Sequence, residues 1–311
     1  MTMLAFIFPG QGSQAVGMGK AFYEASPAAR KIFDEANAAL GLDLTRVMFE
    51  GPESELALTT NTQPAVLTVS VAAAAACAER GLQPSVAAGH SLGEYSALVV
   101  AGALRLRDAV RIVRKRGEFM QQAVPVGTGA MAAVMGLAVD AVEALCREAA
   151  RGEVVEVANI NSAAQIVIAG HTPAVERAVA LAGERGGKKS VLLPVSAPFH
   201  CALMKPAADR LAAELAQIPV SDPTIPVVRN VDAGVTRAAR EVVPFLLSQV
   251  ASPVRWTECV QRLAAEGATA FVEVGPGRVL TALTKRIADG ARAVAVEDPA
   301  SLEKALTAVK A

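Results

Sequence analysis

Residues 4–8, Leu-Ala-Phe-Ile-Phe, form an unbroken apolar run that stops at the turn-forming stretch Pro9-Gly10-Gln11-Gly12-Ser13. The pattern predicts a strand buried on both faces. Ser26-Pro27 opens a helix, with Ser26 as N-cap and Pro27 at the first helical position, and Gly41 closes it. Residues 62–80 are Ala-rich and apolar on almost every face, which predicts an interior helix ending at Gly81. Residues 85–89 read as a short buried strand, and a helix follows from Gly93. The helix predicted over 107–122 turns Val110, Val113 and Met120 inward and carries Arg111, Arg114, Lys115 and Arg116.

The middle of the chain has a different grammar. Strands are predicted over 129–137, 154–160, 165–169 and 189–195, with helices over 140–150 and 172–185. The order βαββαβ is the ferredoxin-like arrangement. Helices over 202–217, 238–249 and 257–266 follow, with strands over 225–228 and 270–274, and the chain ends helix, strand, helix. The expected fold class is α/β. A parallel-sheet core built from 1–126 and 197–311 is covered by helices on both faces, and residues 127–196 form a small inserted subdomain.

Composition narrows the function classes. Lys+Arg and Asp+Glu both number 30, and zero net charge argues against a phosphate-tracking nucleic-acid binder. Cys77, Cys146, Cys201 and Cys259 are far apart, so no zinc site or disulfide framework is expected and a reducing cytoplasm suits them. The first nine residues lack the basic region of a secretion signal, and the apolar stretch 64–78 is too short for a membrane span. A soluble, cytoplasmic protein without membrane contact is expected, a monomer by default.

Gly89-His90-Ser91-Leu92-Gly93 has the form G-x-S-x-G between a predicted strand and a predicted helix. That context is the sharp turn on which a nucleophilic serine is raised, with the Leu92 N–H directed at a developing oxyanion. A simple turn serine is the bland alternative. Serine needs a base, and the chain has three histidines. The His90 side chain should diverge from Ser91, and His171 reads as a polar loop residue. His200 lies where the chain re-enters the larger unit, a natural cleft, and is the favoured base. Cys201 beside it reads as a buried structural thiol. No acid between Ser91 and His200 stands in an obvious post-strand loop, which leaves a backbone carbonyl as candidate for the third member.

Gly10-x-Gly12-x-x-Ala15 matches the letters of a dinucleotide fingerprint, yet the second strand with its terminal acid is missing and a capped helix stands there instead. A glycine-rich loop near a nucleophile also offers free N–H groups, which makes Gln11 a candidate second oxyanion donor. Arg116 precedes Gly117, with Val113 and Met120 three and four positions away on the apolar side. Spacing leaves two readings open, a solvated helix face or an inward guanidinium matched to a carboxylate.

Phe8-Pro9-Gly10-Gln11-Gly12-Ser13-Gln14, Gly89-His90-Ser91-Leu92-Gly93-Glu94-Tyr95-Ser96-Ala97, Arg114 through Gly117, Asn159 through Asn161, and Pro198-Phe199-His200-Cys201 occur in order along the chain. Together they resemble the malonyl-CoA:acyl carrier protein transacylase family. The resemblance implies an α/β-hydrolase-like core and malonyl transfer from malonyl-CoA to the phosphopantetheine thiol of acyl carrier protein, in fatty-acid synthesis. It implies a Ser91–His200 dyad, oxyanion donors at Gln11 and Leu92, Arg116 on the malonyl carboxylate, and the Gln249 carbonyl orienting His200. Asn159 and Phe199 join the substrate site, and bulky Phe199 goes with malonyl over methylmalonyl. Lys188 and Lys189 are candidates for carrier or coenzyme A contact, as are Arg111-Arg114-Lys115 and Lys285-Arg286. Where relatives often carry arginine this chain has Lys189, which loses bidentate contact. No metal or bound cofactor is required. The rival readings are a thioesterase or esterase with the same dyad, a nucleotide-binding module, and a malonyl transferase serving a polyketide or malonate decarboxylase carrier.

Overall fold

The computed structural model describes residues 3–195 and 197–310. Among the described residues, ten strands occur in chain order: β1 (Leu4–Phe8), β2 (Val86–Gly89), β3 (Gly129–Met135), β4 (Val155–Ser162), β5 (Gln165–His171), β6 (Lys189–Leu192), β7 (Val227–Val228), β8 (Val235–Thr236), β9 (Ala270–Val274) and β10 (Arg292–Val296). They form a six-stranded sheet in the order β10-β9-β1-β2-β7-β8 and a four-stranded sheet in the order β4-β5-β3-β6. The larger sheet is parallel except at β7–β8, and the smaller is antiparallel throughout.

Strand β1 lies at the centre of the larger sheet, with Ala5 beside Val86 of β2 and Phe271 of β9. Its alternate residues enter different cores. Phe6 and Phe8 pack with the helices Thr59–Glu79 and Pro27–Leu40, whereas Ala5 and Ile7 pack with Trp256, Cys259 and Leu263 of the helix Trp256–Ala265. Helices on both faces explain why the strand reads as a continuous apolar run. In the smaller sheet, Ala132, Val134, Ile166 and Ile168 face the helices Val139–Ala150 and Thr172–Glu184. Met131, Ala133, Val167 and Ala169 of the same strands join the main core.

Two features position the site. The helix Thr59–Glu79 passes close to the helix Leu106–Gln122 at Gly117, where a Cβ would sit 2.6 Å from the Thr59 carbonyl oxygen. Glycine permits that approach, which brings Arg116 against Gln63. The small sheet is tied to the larger unit through β4. Ile160 N donates to Val254 O and Val254 N to Ala158 O, both at 2.9 Å.

Some expected boundaries are corrected. The strand expected over 189–195 pairs only as Lys189–Leu192, and the strand over 225–228 is reduced to Val227–Val228. Pro226 has no N–H to give a ladder, although its carbonyl accepts from Ala87. The helix expected from residue 202 begins as a 3₁₀ turn, Ala202–Met204, and becomes α-helical as Lys205–Leu215. The interior helix begins at Thr59, ahead of the expected residue 62, which places Pro64 inside it and leaves the Thr60 carbonyl without a helical N–H donor. Three short helices, Lys20–Ala25, Leu44–Glu50 and Glu53–Leu56, had no periodic signal long enough to read. No helix among the described residues is long and apolar enough to cross a membrane.

Candidate active site

Ser91 stands at the carboxyl end of β2, on the turn into the helix Gly93–Val100. Its φ is +52°, a left-handed value that a non-glycine residue holds only at a cost of about 1–3 kcal/mol. Glycines make the turn possible. A Cβ at Gly89 would lie 1.9 Å from the Gly93 backbone, and one at Gly93 would lie 2.1 Å from the Phe8 carbonyl oxygen. A side-chain amide braces the strained residue: Ser91 N donates to Asn230 Oδ1 at 2.7 Å, and Asn230 Nδ2 donates to Gly89 O at 2.7 Å.

His200, in a second left-handed position with φ +62°, brings Nε2 to 2.7 Å from Ser91 Oγ. Its Nδ1 lies 2.9 Å from the main-chain oxygen of Gln249. A carbonyl only accepts, so the proton belongs on Nδ1 and the Nε2 lone pair faces the serine hydroxyl. Among the described residues no carboxylate takes the third position, which the Gln249 carbonyl fills. Burial, and then the nearby Arg116 charge, push the His200 pKa down to about 3, so the ring stays neutral near pH 7.

Arg116 is 2% exposed, which settles the two readings of its helix face in favour of the inward one. Its Nη1 donates to Gln63 Oε1 at 2.8 Å, and Nη2 donates to Gln249 Oε1 at 3.0 Å and to Ser91 Oγ at 3.2 Å. The guanidinium carbon lies 5.6 Å from the Tyr95 ring centroid, and Nε has no hydrogen-bond partner among the described residues. Its neighbours on the helix have other work. Arg111 bonds to Ala39 O, Arg114 to Asn61, and Lys115 pairs with Glu214.

Ser91, His200, Arg116 and Gln63 line one cavity of about 130 Å³, together with Gln11, Leu92, Met131, Asn159 and Phe199. That volume matches a few water molecules, the scale of a small acyl group. The backbone N–H groups of Gln11 and Leu92 have no partner among the described residues. A recess sharing Gln11, His90, Asn159 and Leu193 continues past Ser13, Asn161, Val279 and Leu283. Lys188 and Lys189 are exposed at the start of β6 and line neither space.

The remaining candidates separate cleanly. His90 turns away from the nucleophile to pair with Asn161 Oδ1 at 2.9 Å and lies over Trp256. His171 accepts from Val154 N across the small sheet. The Cys201 thiol is buried, donates to Pro198 O at 3.1 Å, and has its pKa pushed up to about 12 by burial.

Four contributions escaped the sequence reading: Gln63, Glu94, Asn230 and the side chain of Gln249. Glu94 is 3% exposed, accepts from Gln249 Nε2 at 2.7 Å and from Asn230 N at 3.0 Å, and burial raises its pKa to about 7. A carboxylate three residues after the serine, inside an apolar helix, was its available signal. Asn230 follows a two-residue strand and gave none.

A histidine-backed serine beside unpaired backbone N–H groups is equipped for acyl transfer through a covalent ester. Residues 5–304 match the family described as acyl transferase domain, and the chain belongs to that family. Over 308 residues it is 52% identical to the malonyl CoA-acyl carrier protein transacylase of Salmonella typhimurium, covering 99% of this chain and 100% of that one. The solved structure of the malonyl CoA-acyl carrier protein transacylase from Coxiella burnetii superimposes with a TM-score of 0.97 at 42% identity, covering 100% of this chain and 98% of that one. A malonyl-transacylase in complex with its type II PKS acyl-carrier protein gives 0.96 at 48% identity, covering 98% and 99%. Within the acyl transferases, the chain belongs with the malonyl CoA-acyl carrier protein transacylases, the S-malonyltransferases of fatty-acid synthesis.

Proposed function

We propose that the malonyl group travels from malonyl-CoA to the phosphopantetheine thiol of acyl carrier protein as an ester on Ser91. His200 Nε2 takes the Ser91 proton while Oγ bonds to the thioester carbon. The oxyanion is received by the Gln11 and Leu92 N–H groups. Collapse breaks the C–S bond, and the His200 imidazolium returns its proton to the departing coenzyme A thiolate. The carrier thiol then gives a proton to His200, attacks the same ester, and Ser91 leaves with that proton restored. The Gln249 carbonyl keeps Nδ1 protonated throughout.

The observation that carries this reading is the buried Arg116 fork, whose Nη2 lies 3.2 Å from the nucleophile. A carboxylate two bonds beyond the reacting carbonyl carbon falls within its reach, and water has no use for such a cation. Phe199 and Asn159 bound the acyl pocket in this reading, and the recess beyond Gln11 takes the pantetheine arm. A relative held in complex with its acyl-carrier protein supports a protein partner. Exposed Lys188 and Lys189 offer that partner a salt-sensitive contact. The catalytic unit is assigned to 1–126 and 197–311, with 127–196 as the insert over the site.

The test is intact mass after mixing with malonyl-CoA. A malonyl adduct is expected on the wild type, absent from Ser91→Ala, and discharged onto a carrier thiol. Free malonate released with no transferable adduct would refute the transfer step.

A further inference from the structure

Glu94 is a core carboxylate without an ion pair among the described residues, a costly group to keep in an apolar helix. An acid in the first turn of the helix Gly93–Val100 suits the helix dipole, yet an exposed acid would do so equally well. Here the side chain turns inward to Gln249.

We propose that Glu94 is a positioning residue for acyl selectivity, fixing which end of the Gln249 amide faces Arg116. The inference rests on the reading of Arg116 as the carboxylate clamp. A side-chain amide presents an acceptor at one end and a donor at the other, and rotation exchanges them. Arg116 can only donate, and it meets Gln249 Oε1 at 3.0 Å. Gln249 Nε2 then donates to Glu94 Oε2 at 2.7 Å and to the Ser91 carbonyl at 3.0 Å. The flipped amide would set its NH₂ against the guanidinium and its oxygen against two acceptors. Glu94 thereby holds the amide whose oxygen holds one arm of the clamp, while Gln63 holds the other.

The same Glu94 oxygen also accepts from Asn230 N, and Asn230 braces Ser91. Disturbance along that branch slows acylation by any donor, so the informative quantity is the ratio of malonyl to acetyl acylation, not either rate. The two thioesters compete for the enzyme, and intact mass counts the two adducts.

Glu94→Met keeps the length and removes the acceptor, and the malonyl:acetyl ratio is expected to fall on the order of tenfold. Glu94→Gln can still accept through its amide oxygen and should stay within about threefold of wild type. Gln249→Met, with its main-chain carbonyl intact, should lower the ratio as Glu94→Met does. The double variant should be no worse than Gln249→Met alone, because the two act in series. Equal loss of both adducts in Glu94→Met, full additivity in the double variant, or Glu94→Gln falling as far as Glu94→Met would overturn the proposal. If Glu94→Met does not fold, Gln249→Met carries the test from the other end, and an unchanged ratio there overturns it. Arg116→Ala separates the two readings. If Arg116→Ala keeps the selectivity, the clamp itself is wrong; if only the Glu94 and Gln249 variants keep it, the clamp stands and this inference falls.

Discussion

Replacing Arg116 by alanine tests the clamp most directly. The guanidinium offers five N–H groups. One goes to Gln63, one to Gln249 and one to Ser91 Oγ, which leaves Nε–H and one Nη1–H without partners among the described residues. Those two lie on opposite edges of the planar fork, so a malonyl carboxylate bound bidentately also takes an Nη2–H, the one that Ser91 Oγ gives up, and neither glutamine is displaced. Two charge-assisted hydrogen bonds of about 1.5–3 kcal/mol each give about 3–5 kcal/mol after some loss of additivity. At 1.36 kcal/mol per decade, that is about 10²–10⁴-fold in kcat/KM for malonyl-CoA. Acetyl-CoA carries no carboxylate and serves as the internal standard, since damage to folding or to the dyad lowers both substrates. Removing the cation also relieves His200 of a charge that disfavours its protonation, an effect shared by both acyl donors. Arg116→Lys should recover part of the malonyl activity, because it restores charge without the planar fork. Steady-state kinetics with the two donors is the assay. A parallel fall for malonyl-CoA and acetyl-CoA, or an unchanged malonyl rate, would refute the reasoning.

Further outcomes follow from packing and from charge. Gly89→Ala sets a methyl 1.9 Å from the Gly93 backbone, which no rotamer can relieve, and should cost about 3 kcal/mol by urea unfolding. Gly183→Ala, in the helix Thr172–Glu184 with nothing within 4 Å, should be neutral or stabilise by up to about 1 kcal/mol. His200 has its pKa pushed down to about 3 by burial and Arg116, so ¹⁵N NMR should find a neutral ring protonated at Nδ1 down to about pH 5. The sign for stability follows. The unfolded chain binds a proton near the ordinary histidine value that the folded ring refuses, so this contribution is lost as pH falls below about 6.5. A ring titrating near 6.5 in the folded protein would show the burial argument to be wrong.

Sequence by itself determined a good deal. The apolar run 4–8 announced a strand covered on both faces, because in a parallel sheet both sets of alternating side chains are buried. Ser26, Pro27 and Gly41 marked a helix at both ends through local hydrogen bonding, and Ser26 Oγ does accept from Ala29 N. The glycines around Ser91 signalled a tight turn, since only residues without side chains let three backbone segments meet there. With three histidines in the chain, even the partner of Ser91 could be narrowed by place.

Tertiary structure decided the rest. Whether Arg116 faced water or the nucleophile depended on the close crossing at Gly117, a contact between segments about 58 residues apart that helical periodicity does not encode. Gln63, Asn230 and the Gln249 side chain are neutral amides with no pattern of their own. They become a site only when separate helices and a two-residue strand converge behind Ser91. Glu94 was visible as a letter in the serine motif, but not as a buried acceptor. Periodicity and motifs report forces that act along a chain or across a face. The amide network around Arg116 is made of single directed hydrogen bonds between distant segments, and only the folded arrangement specifies those.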